Sequence, residues 1–134
     1  MADPALILDA NEVFYRALAE GDYATMEALW ATDVPVVCLH PGWPPLADRA
    51  KIMQSWEGIL ANPPAPAVRP TDIDVHIHGD TAFIVCFEVI GDQYLVATNI
   101  FVSESGAWKM VHHQSAPVRY RPSESQHPPS TAVH

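Results

Sequence analysis

The chain has 134 residues, 49% of them hydrophobic and 17% charged, a size and balance that suit one domain with a packed apolar interior and exclude a disordered chain. Seven Lys and Arg against sixteen Asp and Glu leave a net charge of −9 with no basic cluster, so neither nucleic acid nor an anionic membrane is an expected partner. No apolar run nears the ~20 residues of a spanning helix, and the start Met1-Ala2-Asp3-Pro4 lacks a basic region followed by an apolar stretch, so the expected location is the cytoplasm.

Asp3 and Pro4 can open a helix as cap and first-turn residue, and Ile7, Ala10, Phe14, Ala17 and Leu18 recur at helical spacing as far as Gly21, which predicts an amphipathic helix over 4–20. Asp22 can cap a shorter helix carrying Met26, Leu29 and Trp30. Residues 35–40 are short and β-branched, a strand ended by the turn-rich Pro41-Gly42-Trp43-Pro44-Pro45. A third helix begins near Asp48, with Ile52, Met53, Trp56, Ile59 and Leu60 on its apolar side, and four prolines stiffen 61–70. The period then changes to two. Residues 71–78, 81–90, 93–104 and 107–116 read as four strands separated by Gly79-Asp80, Gly91-Asp92 and Ser105-Gly106. Three helices followed by a meander predict an α+β domain over 1–117, with 118–134 a Pro- and Ser-rich tail. Cys38 and Cys86 lie in apolar strands without CxxC or Cys/His spacing, so both are expected to be reduced, buried thiols, and no metal or cofactor is expected.

This order of elements resembles the nuclear-transport-factor-2-like superfamily, and within it the SnoaL-like and ketosteroid-isomerase-like bacterial proteins. The residues that carry the resemblance are the stretch from Phe14 to Asp22, Leu29-Trp30-Ala31 with Asp33, His40-Pro41-Gly42, Ser55-Trp56, Gly79-Asp80-Thr81-Ala82, and the stretch from Trp108 to Pro117. The resemblance implies a cone: a strongly curved antiparallel sheet wrapped around three N-terminal helices, an apolar pocket inside, and a homodimer formed through the sheet's outer face.

Strand alternation sorts the candidate residues, because side chains two apart share a face. Phe83, Val85 and Phe87 form one set, Ala97, Asn99 and Phe101 a second, and Val111, His113 and Ser115 a third. By the resemblance these are the concave faces, joined by Cys38 and by Phe14, Leu18 and Trp56 from the helices. Such a pocket suits a small hydrophobic molecule. The positions that carry the steroid isomerases' carboxylate base, tyrosine and protonated aspartate hold Cys38, Phe14 and Asn99 here, so that reaction is not expected. Tyr15 is turned about 100° from Phe14 along the helix and does not simply replace the missing tyrosine.

His113 remains as a proton-transfer group with Asn99 as an amide donor to a developing oxyanion, the arrangement of an isomerase, cyclase or dehydratase. Alternatively His113 is hydrogen-bonded in the core and only orients a ligand. His40 either lines the mouth with Trp43 or fixes the Pro-rich turn, and Cys38 lies on its face. His76 and His78 flank Ile77 beside Asp72 and Asp74, as on a solvated strand face. Glu88 interrupts an apolar strand; alternation groups it with Ala82, Ile84 and Cys86, opposite the pocket, whereas turned inward it would be the best base in the chain. The readings are thus a ligand-binding protein, an enzyme acting through His113 and Asn99, or a protein-interaction module using the outer sheet and tail.

Overall fold

The computed structural model describes residues 2–119. Three helices, α1 (Pro4–Glu20), α2 (Tyr23–Leu29) and α3 (Arg49–Ala61), accompany five strands, β1 (Val37–Leu39), β2 (Arg69–His78), β3 (Thr81–Ile90), β4 (Gln93–Glu104) and β5 (Ala107–Pro117). Of the tail expected over 118–134, all but Val118 and Arg119 lies outside the described residues.

Each helix begins at an aspartate whose carboxylate accepts an otherwise unpaired backbone N–H. Asp3 accepts from Ala5, Asp22 from Thr25 and Asp48 from Ala50. Gly21 ends α1 in the left-handed conformation, φ 67°, and a Cβ there would lie 2.7 Å from the Leu60 carbonyl oxygen. Only glycine therefore lets the end of α1 pack on the end of α3. Arg49 ties the start of α3 to the end of α2 through the carbonyls of Ala31 (3.0 Å) and Glu27 (2.7 Å).

The sheet runs β1-β5-β4-β3-β2, with β1 parallel to β5 and every other pair antiparallel. Two irregularities interrupt it. β2 breaks register between Thr71 and Asp74, where Asp72 has φ 54°, and β5 bulges opposite Ile100 and Phe101. Bulges bend strands and increase local twist, which curves the sheet around the helices. Ile7, Phe14, Met26, Trp30, Ile52 and Trp56 from the helical side meet Ala82, Ile84, Ala97, Phe101 and Met110 from the sheet in one core.

The register corrects two strand faces. β3 pairs Ala82 with Phe101, Ile84 with Asn99 and Cys86 with Ala97, and paired residues share a face. Because Phe101, Asn99 and Ala97 point inward, so do Ala82, Ile84, Cys86 and Glu88, all buried. Phe83, Val85 and Phe87 lie half-buried on the outer face and line no interior pocket. Both faces of β3 are apolar, so alternation alone cannot orient it. On β5 the bulge makes Val111 the extra residue, and the inward set becomes Met110, His113 and Ser115.

Candidate functional site

The mouth of the cone is built by a loop that folds back on β1. Trp43 N–H donates to the His40 carbonyl (2.9 Å), and Cys38 and Leu46 exchange backbone hydrogen bonds of 2.8 and 2.9 Å. Trp43 and Leu46 thereby face the side of α3 that carries Lys51, Gln54, Ser55, Gly58 and Ile59, residues at helical spacings of three and four. These seven line a cavity of about 570 Å³. Lys51 is its one charged lining residue, and a Cβ added to Gly58 would meet nothing within 4 Å.

Ser55 joins the cavity to the interior. Its Oγ donates to the Ile52 carbonyl at 2.6 Å, which uses its single hydrogen, so at 2.8 Å it accepts from His40 Nε2. Burial pushes the His40 pKa down to about 4, keeping the ring neutral with its lone pair on Nδ1. The ring packs 4.8 Å from that of Trp43 and 4.7 Å from that of Trp56. It therefore braces the turn by packing between Trp43 and the core's Trp56 and does not itself line the cavity. Cys38 Sγ lies 3.7 Å from His40 Nε2, but burial pushes the thiol up to about 12, which removes it as a nucleophile at neutral pH.

Behind Trp56 lies a buried polar ladder. His113 Nδ1 is 2.6 Å from Asn99 Oδ1. Asn99 Nδ2 donates to Asn11 Oδ1 at 2.9 Å and to the Tyr15 hydroxyl at 3.2 Å. Tyr15 donates to Glu88 Oε2 at 2.6 Å, and Cys86 Sγ is 3.4 Å from the same hydroxyl. Glu88 is 4% exposed; burial raises its carboxyl pKa, partly offset by hydrogen bonds from Tyr15 and Ser115. Burial, reinforced by nearby His40 and His112, holds His113 down to about 3. The Phe14 ring packs 4.7 Å from His113, and the Trp56 ring 6.1 Å from it.

Phe14, Leu18, Cys38, His40, Trp56, Asn99, Phe101, His113 and Ser115 are therefore all interior, and of the expected mouth pair only Trp43 lines the cavity. Asn99 is a link in the ladder: its carbonyl and its amino group are both engaged within the protein. Glu88 and Tyr15 are the main additions. Phe14 and Tyr15 both point inward, their rings edge-on at 4.9 Å, because the curved sheet covers more than one stripe of α1. The signal for Glu88 was its position, an isolated carboxylate in an apolar strand. Lys51, Gln54 and Gly58 carried no comparable mark. Among the described residues no three His, Cys, Asp or Glu side chains gather as a metal site, and no helix is long and apolar enough to cross a membrane.

The profile of the SnoaL-like domain matches residues 7–119. The chain belongs to the SnoaL-like family. Its fold is that of the NTF2-like proteins: a candidate dehydratase of the NTF2-like family from Streptomyces avermitilis is 34% identical, with TM-score 0.77 over 87% of this SnoaL-like chain and 96% of that one. A candidate ketosteroid isomerase from Parabacteroides distasonis shares the fold at 17% identity, TM-score 0.71, over 92% of each chain. The F-box protein SKIP8 of Arabidopsis thaliana is 25% identical over 113 residues, 82% of this chain; the chain spans about half the length of that curated relative.

Proposed function

We propose that this SnoaL-like protein binds a small, predominantly apolar organic molecule at the mouth of the cone, with a ligand hydroxyl donating to the remaining lone pair of Ser55 Oγ. The cavity beneath Trp43 carries this reading. Its volume lies within the usual ~300–1,000 Å³ of small-molecule sites, and its mix of apolar walls and few polar groups is typical of them. One further feature supports it: Lys51 at the cavity wall suits an anionic end on the ligand.

Gly58→Leu separates the cavity from the fold. The new side chain has room to enter the cavity, and leucine in place of glycine inside a helix favours it by roughly 0.8–1 kcal/mol. Titrated with anilinonaphthalene sulfonate, an apolar anion, the wild-type protein is expected to give a saturable fluorescence rise. The variant should bind at least tenfold more weakly with an unchanged or raised melting temperature. Equal binding by both would contradict the cavity's role.

A second reading, proton transfer at His113 in a reaction of the isomerase, cyclase or dehydratase type, is favoured by the ladder, which presents a neutral imidazole in an enclosed setting. The name of the Streptomyces relative agrees with it. Here the ligand would reach His113 past the Trp56 ring.

We also propose a homodimer through the outer sheet face, because Phe83, Val85 and Phe87 adjoin Val96, Ile100 and Val102 there in an apolar patch. Val85→Glu should convert a dimer in sedimentation velocity to a monomer. A monomeric wild type would remove the proposal.

A further inference from the structure

The direction of every hydrogen bond in the ladder follows from one end. An ionised carboxylate can only accept, and a phenol has a single hydrogen. Glu88 Oε2, 2.6 Å away, takes that hydrogen from Tyr15. The phenolic oxygen then has only lone pairs to offer Asn99, which turns the Asn99 amino group toward Tyr15 and Asn11 and its Oδ1 toward His113. Oδ1 carries no hydrogen, so the hydrogen in the 2.6 Å contact belongs to His113 Nδ1.

Asn11 cannot impose this order. Its amide can present either oxygen or nitrogen to Asn99, because its other neighbour, the Cys86 thiol, can either donate or accept. The order belongs to the ionised carboxylate: without it as acceptor the phenolic hydrogen is free to point either at Cys86 Sγ, 3.4 Å away, or at Asn99, and neither amide orientation is imposed.

We infer that Tyr15 and Glu88, neither hydrogen-bonded to His113, are positioning residues that act through Asn99 to hold His113 as the Nδ1–H tautomer, leaving the Nε2 lone pair to accept a hydrogen bond from the ligand. The ligand class this selects is a molecule with an O–H or N–H donor, since an imidazole lone pair is of no use to a purely apolar guest. The inference rests on the reading in which the ligand reaches His113. Tyr15 supplies the oxygen that only accepts from Asn99, and Glu88 draws the phenolic hydrogen away from that contact.

Nitrogen-15 NMR of histidine-labelled protein tests it without any ligand. Wild-type His113 should show a protonated Nδ1 and an unprotonated Nε2. Tyr15→Phe and Glu88→Ala should each lose the single tautomer, their two nitrogen shifts moving toward each other. Glu88→Gln should keep it, because its amide oxygen can accept the phenolic hydrogen while its amino group donates to the Ser115 hydroxyl that hydrogen-bonds Glu88. If Tyr15→Phe does not fold, the contrast between Glu88→Ala and Glu88→Gln carries the test. Protonated Nε2 in the wild type, or an unchanged single tautomer in folded Tyr15→Phe or Glu88→Ala, would overturn the inference. The reading beneath it is tested separately by His113→Ala: if that variant retains the protein's ligand, the ligand does not reach His113, whatever the tautomer pattern.

Discussion

Acidification from pH 7 to pH 4 is expected to unfold the domain, with two buried histidines as the main cause. The folded-state pKa of His113 is about 3 and that of His40 about 4, against an ordinary value of 6.5. Both values are depressed, so the stability they contribute is present above 6.5 and lost as the pH falls toward the folded values, when the unfolded chain binds protons that the folded chain refuses. At 1.36 kcal/mol for each pKa unit, each ring has cost roughly 3 kcal/mol by pH 4. A domain stable by ~5–15 kcal/mol does not easily survive that.

Glu88 acts in the opposite sense. Its pKa is raised, so its contribution is fully present below the ordinary carboxylate value and is lost as the pH rises through its folded value. It therefore softens the acid transition without cancelling it. Followed by circular dichroism, unfolding should fall between roughly pH 6 and 4. His113→Asn, which has no imidazole to charge, should move the midpoint downward, and Glu88→Gln should steepen the loss of stability below pH 6. A wild-type protein that stays folded with constant stability down to pH 3 would show that these rings are not held neutral by burial.

Trp56→Ala should have the second large effect. The side chain is fully buried between Phe14 and His40, and its truncation should destabilise the domain by roughly 3–5 kcal/mol. Its loss also removes the wall between the mouth and His113. His113 is 3% exposed, and diethylpyrocarbonate, which acylates neutral imidazoles, should not modify it in the native protein. In folded Trp56→Ala the reagent should reach it, as peptide mass spectrometry would reveal. Equal protection in both proteins would mean that Trp56 does not separate the two compartments.

The helices were legible because local chemistry marks their ends: three aspartate caps, Pro4 and Gly21 each act within a few residues of where they stand. The four-strand meander was legible for the same reason, through its turn residues. The facing of β3 was not. Phe83, Val85 and Phe87 look more like core than Ala82, Ile84 and Cys86 do, yet the helices pack close enough to the inner face to favour the smaller set, and the outer face receives the rings. Phe83 there stacks on His76 and His78, with centroids 4.6 and 5.7 Å away. Reversing one strand was sufficient to hide Glu88, and with it the reason for Tyr15's burial.

At the site, alternation grouped His113 with Ser115 and Asn99 with Ala97 and Phe101, and the family resemblance turned those sets inward, although only the three-dimensional arrangement shows that the Asn99 amide serves His113 and not a ligand. The mouth cavity was harder to read. It depends on loop residues 40–46 turning back toward α3 and on Gly58 lacking a side chain at one helical position, and neither feature has a periodic signature.

On the proposed function, the cone mouth holds a small organic molecule in the cell. Native mass spectrometry of the protein purified from its own cells, beside Gly58→Leu prepared in the same way, measures that occupancy. A bound mass of small-molecule size is expected on the wild-type protein, released by denaturing extraction and missing from the folded variant. A wild-type protein that carries no such mass, or a variant that carries the same mass to the same extent, would contradict it.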